Sequence, residues 1–458
     1  MKLRDLALLA SRDAALDATS TIDATLACSE IARPLVIAGL AERWSNSTLV
    51  VATPTGTAAQ MIHDDLVQYV GAANALLFPA WETLPFERVS PSVESMGRRL
   101  EVLWRLRTSD QPRIVVGSVR ALLQKLAPGA TTREPIVVRR GTDVNADHLM
   151  ERLIADGYRR EDLVEHRGEC AQRGSIIDVF PSTTDAPIRI DLWGDEVDRL
   201  TTFNVNDQRS ADDLDEVVIF PAREVELTTA VRDRARALIG SDPWGIEQWD
   251  RLAEGQQFEG MESWLPWLVE RDELLTDVLG TDNRLVLVEP RRMQTRAVDL
   301  LAEEADLARA LASTWARDAD REFPRLHVES NRLLDATSSS RTVSLVLPAE
   351  APSAPIVAAT GWGPATADAE ATAARVRGLV GDGWTVALCA ESAGSARRFV
   401  EVFNENGVAV IDLARVPNAD MTKPGVFVVE AALHAGCSLP GARVAVISES
   451  DLTGRRRT

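Results

Sequence analysis

The chain has 458 residues, 45% of them hydrophobic, and a formal net charge of −19. This length predicts about three or four domains with ordinary buried cores. The acidity argues against a dedicated nucleic-acid binder, which usually presents a basic field. The four cysteines, at positions 28, 170, 389 and 437, lie too far apart for a zinc knuckle or a CxxC motif. We therefore expect a reduced, cytoplasmic setting, with no metal site and no membrane span.

Residues 1–128 predict an α/β unit. Short apolar runs at 48–52, 75–78 and 113–117 are typical of buried strands, and the segments at 57–70 and 92–106 have helical periodicity. Alternation of apolar strands with helices indicates a parallel sheet that is covered by helices. The proline-rich loop at 78–91 carries Trp81 and Phe86. We expect these aromatics to anchor the loop to its domain, with a ligand platform as the alternative.

The turn after the strand at 48–52 is where a phosphate-binding loop would lie. It contains Thr53, Thr55, Gly56 and Thr57 but no lysine, and it has one glycine where a working loop needs several. A later strand at 284–288 ends at Glu289 without the preceding Asp that ATPases use to hold Mg²⁺. We therefore expect these five residues to form a degenerate nucleotide site with no catalytic residue. Weak nucleotide binding is the alternative.

Residues 129–222 are richer in predicted strands than residues 1–128, and they predict an inserted α+β domain. A helix is expected at 146–156, and alternating β-formers predict strands at 175–180 and 188–193. Arg159, Arg160, Arg167 and Arg173 precede the first of these strands and are interleaved with acidic residues. A mixed-sign surface suits a protein partner better than a phosphate backbone, which attracts uncompensated positive charge.

Residues 223–346 again predict alternating helices and strands. A Pro/Ala/Ser-rich linker at 347–355 predicts a domain boundary. Residues 356–458 predict a second small α/β domain, to which we assign no role. Its strand ends carry acidic residues that we expect to cap and solvate these ends. The chain stops soon after three arginines at 455–457. This ending predicts a piece of a longer protein.

Four motifs carry a resemblance to a known family. They are FPAWETLPFERVSPS at 78–92, GYRREDLVEHRGECAQRGSIIDVFP at 157–181, DLWGDEVDRLTTFNVNDQRS at 191–210 and VISESDLTGRR at 446–456. In sequence and in order they resemble the N-terminal part of the bacterial transcription-repair coupling factors, over essentially the whole chain. The middle stretch also resembles the corresponding domain of the excision-repair helicase UvrB.

The resemblance implies a fold and a partner. It implies that 1–128 and 223–346 form one helicase-like domain with a degenerate nucleotide site, and that 129–222 is the inserted domain that binds the repair protein UvrA. The residues that match the UvrA-contacting surface are Arg159, Arg160, Arg173 and Phe180. UvrB has a further arginine where this chain has Ala171. Arg167 or Arg189 are the candidates to replace it.

The implied function is that of an adaptor, which recruits UvrA to RNA polymerase stalled at DNA damage. The intact family protein also binds RNA polymerase and moves along double-stranded DNA with a motor that uses ATP and Mg²⁺. A distant C-terminal domain masks its UvrA-binding surface. For this chain alone the resemblance implies no cofactor and no enzymatic activity. Two alternatives from the residues are an active NTPase and a weak nucleotide- or damaged-DNA-binding module.

Overall fold

The structure is a computed structural model that describes residues 3–20, 23–85, 87–109, 111–241, 245–279, 284–314, 323–336, 341–362 and 369–454. Phe86 of the proline-rich loop and the three arginines at 455–457 lie outside the described residues. Within the described ranges, no helix is both long and apolar enough to cross a membrane.

The first part of the chain alternates helices and strands. Its elements are α1 (Arg4–Ala10), β1 (Asp23–Cys28), α2 (Arg33–Arg43), β2 (Leu49–Thr53), α3 (Gly56–Val70), β3 (Ala75–Phe78), α4 (Val93–Arg107), β4 (Ile114–Ser118) and α5 (Val119–Leu123). Every residue of β2 and β4 is buried, as expected for central strands of a parallel sheet. The side chains of Thr55 and Ser92 accept hydrogen bonds from the first turns of α3 and α4, which fixes where these helices begin.

The middle part is rich in strands. Its elements are β5 (Ile136–Arg139), α6 (Ala146–Ala155), β6 (Arg159–Arg160), β7 (Glu169–Arg173), β8 (Ile176–Val179), β9 (Ile188–Trp193), β10 (Glu196–Phe203), β11 (Ser210–Asp213) and β12 (Glu216–Ile219). Strands β6 to β11 form a six-stranded sheet in the order β11-β10-β9-β8-β7-β6, and β5 pairs with β12. The two predicted strands correspond to β8 and β9. The other strands of this sheet were not predicted, because their polar residues interrupt the alternation.

The chain then returns to the first sheet. The elements are α7 (Thr229–Ser241), α8 (Ile246–Ala253), α9 (Leu265–Leu268), α10 (Leu275–Val278), β13 (Arg284–Val288), α11 (Pro290–Thr314), α12 (Ser330–Ala336), β14 (Arg341–Val346) and β15 (Ile356–Val357). Strands from both sides of the middle part interleave in a seven-stranded parallel sheet with the order β15-β1-β14-β13-β2-β4-β3. The α/β fold class predicted from the sequence, with an α+β segment inserted into a parallel-sheet unit, is confirmed.

The last part is a smaller α/β unit. It contains α13 (Ala369–Gly381), β16 (Thr385–Ala390), α14 (Ala393–Glu405), β17 (Val410–Asp412), β18 (Gly425–Glu430), β19 (Cys437–Leu439), β20 (Val444–Ser448) and α15 (Glu449–Thr453). Its five strands have the order β17-β18-β16-β20-β19. One apolar core joins this sheet to the seven-stranded sheet. Strand β15, which lies just after the predicted linker, pairs with β1, so the first sheet extends past the predicted boundary at 356.

Candidate protein interface

One face of the six-stranded sheet is apolar and the other is charged. Since side chains alternate along a strand, the apolar face carries residues such as Ile177, Val179 and Ile190, which belong to the core of the inserted segment. The opposite face, here called the outer face, carries residues of five neighbouring strands. They are Arg159 on β6, Glu169, Ala171 and Arg173 on β7, Ile176 and Asp178 on β8, Arg189, Asp191 and Trp193 on β9, and Glu196, Arg199 and Thr201 on β10.

Asp178 organises the centre of the outer face. Its side chain is 1% exposed and accepts hydrogen bonds from Arg173 (2.8 Å) and from Nε and Nη2 of Arg189 (2.8 and 2.9 Å). The hydrogen bond to Asp178 raises the pKa of Arg189 above its ordinary value, although burial opposes this shift. Arg189 is thereby committed to Asp178, whereas the Arg173 side chain is 49% exposed and can reach a partner.

The edge strand β6 presents two arginines. Arg159 lies 3.0 Å from Glu169, a buried carboxylate that also accepts hydrogen bonds from the backbone N–H groups of Glu165 and His166. Arg160 pairs in register with Cys170 of the apolar face, so its side chain leaves the sheet on the other side. Arg160 is exposed, and no ion-pair partner for it occurs among the residues that the structure describes.

A small apolar cluster lies beside these arginines. It contains Val164, Ala171 and Phe203, with Phe180 half-buried against it. The guanidinium of Arg167 lies 5.5 Å from the centre of the Phe180 ring, and it pairs with Glu94 of α4 and with Asp185 at 3.2 Å. Arg167 therefore links the inserted sheet to helix α4.

Ala171 stands where UvrB has an arginine, and Arg167 and Arg189 are the predicted candidates to replace that arginine. Ala171 is buried in the apolar cluster. Arg189 lies on the same face and stacks at 4.7 Å over the Phe203 ring, but its Nε and Nη2 donate to Asp178 and its Nη1 donates to Gln208 O at 3.0 Å. The structure brings Arg159, Arg173, Arg189 and Phe180 to one face. It places Arg160 on the edge strand β6, and it places Arg167 where the inserted segment contacts helix α4.

A buried ion pair stabilises the junction between helix α4 and the end of the inserted segment, here called the root. Arg99 of α4 donates to Glu224 at 2.7 Å, and neither side chain is exposed. The indole of Trp81 donates to the same carboxylate at 2.9 Å, and the Arg99 guanidinium lies 4.2 Å from the Phe78 ring. Trp81 therefore anchors the proline-rich loop to its domain, as predicted, and Phe86 lies outside the described residues.

The residues predicted for the degenerate nucleotide site do meet at one edge of the first sheet. Thr53 ends β2 and is buried, Thr55 caps α3, and Gly56 and Thr57 begin that helix. Glu289 follows the neighbouring strand β13, and its carboxylate pairs with Arg33 (2.9 Å) and Arg292 (2.6 Å). Burial alone would raise the pKa of Glu289, but the hydrogen bonds from these arginines lower it below its ordinary value. Thr55, Arg33 and Glu289 line a cavity of about 240 Å³.

Sequence reasoning missed the carboxylates that hold these arginines. Asp178 is the polar residue inside the apolar run SIIDVF, and a buried charge at that position requires a partner. That signal could have identified Asp178. Nothing in the local sequence links Arg99 to Glu224, because 125 positions separate them.

Comparison with known proteins gives this geometry a context. The UvrB interaction domain family matches residues 136–225. The transcription-repair-coupling factor of Mycobacterium tuberculosis is 34% identical over 94% of this chain and 37% of its own length. The Bacillus subtilis protein of that name is 31% identical over 60% of the chain and 25% of its own length, and the Escherichia coli protein is 29% identical over 50% and 20%.

The matched region therefore spans well under half the length of these relatives. The match at residues 136–225 contains the whole outer face and the predicted arginines. The chain is similar to the transcription-repair-coupling factors over nearly its whole length, and residues 136–225 of its inserted segment match the UvrB interaction domain family.

Proposed function

We propose that the chain is an adaptor that recruits UvrA to RNA polymerase stalled at DNA damage, and that the outer face and its β6 edge bind UvrA. The observation that carries the proposal is the set of exposed arginines beside an apolar cluster within the UvrB interaction domain. Arginine forks pair with carboxylates, and a nearby aromatic ring adds apolar burial. The preformed contacts to Glu169 and Asp178 would hold the arginines in place before a partner arrives.

The proposal extends to the whole protein of which this chain would be part. There, an ATP- and Mg²⁺-dependent motor would move along double-stranded DNA and displace the polymerase, and a C-terminal domain would mask the outer face. The chain by itself would then bind UvrA constitutively. Tighter binding of UvrA by this chain than by the intact protein would support masking, whereas equal affinities would contradict it.

The Arg160→Glu/Arg173→Gln double variant tests the interface. We expect its affinity for UvrA to fall by at least about tenfold, because charge pairs to carboxylates on the partner are lost. Arg173→Gln keeps a donor near Asp178, so the melting temperature should change little. Isothermal titration calorimetry with purified UvrA measures the binding, and a thermal melt measures the stability.

Arg140→Glu is the matched control for this experiment. Arg140 is 53% exposed in the same inserted segment, but it pairs with Asp215 and follows β5, which pairs with β12 and is not a strand of the six-stranded sheet. Its variant should bind UvrA as the wild type does. Equal binding by the double variant and the wild type would contradict the proposed interface.

We also propose that the chain does not hydrolyse ATP. The loop before α3 has no lysine to hold phosphates, and the Glu289 carboxylate is already engaged by Arg33 and Arg292. Phosphate release measured with and without duplex DNA should stay at background, and Glu289→Gln should not change it. Turnover that is lost in Glu289→Gln would refute this expectation.

A further inference from the structure

An exposed tryptophan stands at the end of β9. The Trp193 side chain is 81% exposed, more than any other large apolar side chain in the part of the chain that the structure describes; the next is Val298 at 57%. Full burial of a tryptophan removes about 150–250 Å² from water. Tryptophan is enriched at protein–protein hot spots, so an exposed one on a structured domain is a candidate contact for a partner.

The backbone around Trp193 is fixed. The tight turn after it uses Gly194 at a positive φ of 62°, which favours glycine. The N–H of Leu192 donates to Ser175 O at 2.9 Å on one side, and the N–H of Val144 donates to Asp195 O at 2.6 Å on the other. Because the hairpin is held from both sides, ordering Trp193 against a partner would cost little conformational entropy.

Trp193 also lies on the same side of the sheet as the arginines. Arg189, Asp191 and Trp193 occupy alternate positions of β9 and therefore share the outer face. In register, Asp191 pairs with Ile176 of β8, and Ile176 pairs with Arg173 of β7. A row of paired residues thus runs from Arg173 across the half-buried Ile176 to Asp191, and Trp193 lies two positions farther along β9 on the same face.

The charges beside Trp193 favour a protein as the occupant. Arg173 pairs with Asp178, and Arg199 pairs with Asp213 at 2.8 Å. These pairs leave little uncompensated positive charge for a phosphate backbone. Trp193 itself pairs in register with Glu196 of β10, so residues of both charge signs lie near the ring, and tryptophan and arginine are enriched at protein–protein hot spots.

We infer that Trp193 is the aromatic anchor of the UvrA-docking surface and inserts into an apolar pocket of UvrA, so that the interface reaches from β6 to the turn between β9 and β10. This inference rests on the proposed function and adds a contact outside the arginine cluster. The arginines would orient the partner, and Trp193 would supply most of the apolar burial.

Trp193→Ala tests the inference. We expect this variant to bind UvrA about thirtyfold or more weakly, which is the loss typical of a hot-spot residue. Trp193→Phe should retain most of the affinity, because it keeps an aromatic anchor. The melting temperature of both variants should match that of the wild type, because Trp193 contributes little to the core. Titration calorimetry of the 458-residue chain with purified UvrA provides the measurement.

Ile154→Ala is the matched control, because Ile154 is 41% exposed on α6 of the same segment and should not change binding. If the wild type binds UvrA and Trp193→Ala binds equally well, this inference fails while the proposed function stands. If the wild type does not bind UvrA, the proposed function fails. A wild-type dimer that Trp193→Ala converts to a monomer, measured by light scattering, would also overturn the inference, because a second copy of the chain would be the occupant.

Discussion

Arg99→Met should lower the free energy of unfolding by about 3–5 kcal/mol, because it leaves a buried carboxylate without its partner. The Glu224 side chain is fully buried, and its carboxylate accepts hydrogen bonds from Nε and Nη2 of Arg99 at 2.7 and 3.3 Å. Only the indole of Trp81 would remain as a hydrogen-bond donor to it among the contacts described above. Chemical denaturation followed by circular dichroism measures the change.

Two further variants separate the lost ion pair from a general effect of substitution. Arg98→Met changes the adjacent residue, which is 34% exposed and pairs with Glu94 one turn away on α4. It should cost no more than about 1 kcal/mol, as for other surface pairs. Arg99→Met/Glu224→Leu should recover much of the loss, because replacing both partners removes the uncompensated charge. Equal costs for Arg98→Met and Arg99→Met would contradict this account of the root.

The sequence predicts the central strands of the seven-stranded sheet because these strands are buried on both faces. Runs such as LVVAT in β2 and IVVGS in β4 are fully buried in the structure, and continuous apolar runs are typical of parallel sheets. Exposed strands of the inserted sheet were not predicted, because they lack such apolar runs. All four residues of β11 are exposed, so no burial pattern marks this strand.

The candidate site was predicted in part. The resemblance to a known family singled out Arg159, Arg173 and Phe180, and the structure places them on one face. Which arginines are available to a partner depends on contacts across strands. Arg189 is committed to Asp178, 11 positions away, and Arg167 to Glu94, 73 positions away. Such pairings follow from sheet register and domain packing, which a single sequence does not specify.

Gly97→Ala should destabilise the protein by about 1–3 kcal/mol, although alanine is the better helix former. Gly97 lies in α4, and a Cβ atom there would overlap the side chain of Ser182 in the inserted segment. Ser182 cannot move aside easily. It is buried, its hydroxyl donates to Phe220 O at 3.0 Å, and its N–H donates to the Tyr158 hydroxyl at 3.1 Å. The absence of a side chain at Gly97 is therefore what lets the two parts approach.

Gly378→Ala gives the matched comparison and should have the opposite sign. Gly378 is exposed in α13, and nothing lies within 4 Å of the position that its Cβ would take. There the substitution should stabilise the protein by about 0.5–1 kcal/mol, because alanine loses less conformational entropy than glycine in a helix. Adding Ser182→Gly to Gly97→Ala should restore part of the lost stability by removing the overlapping atoms. Thermal melts of the three variants test the argument, and stabilisation by Gly97→Ala would show that α4 and the inserted segment are not in close contact at this position.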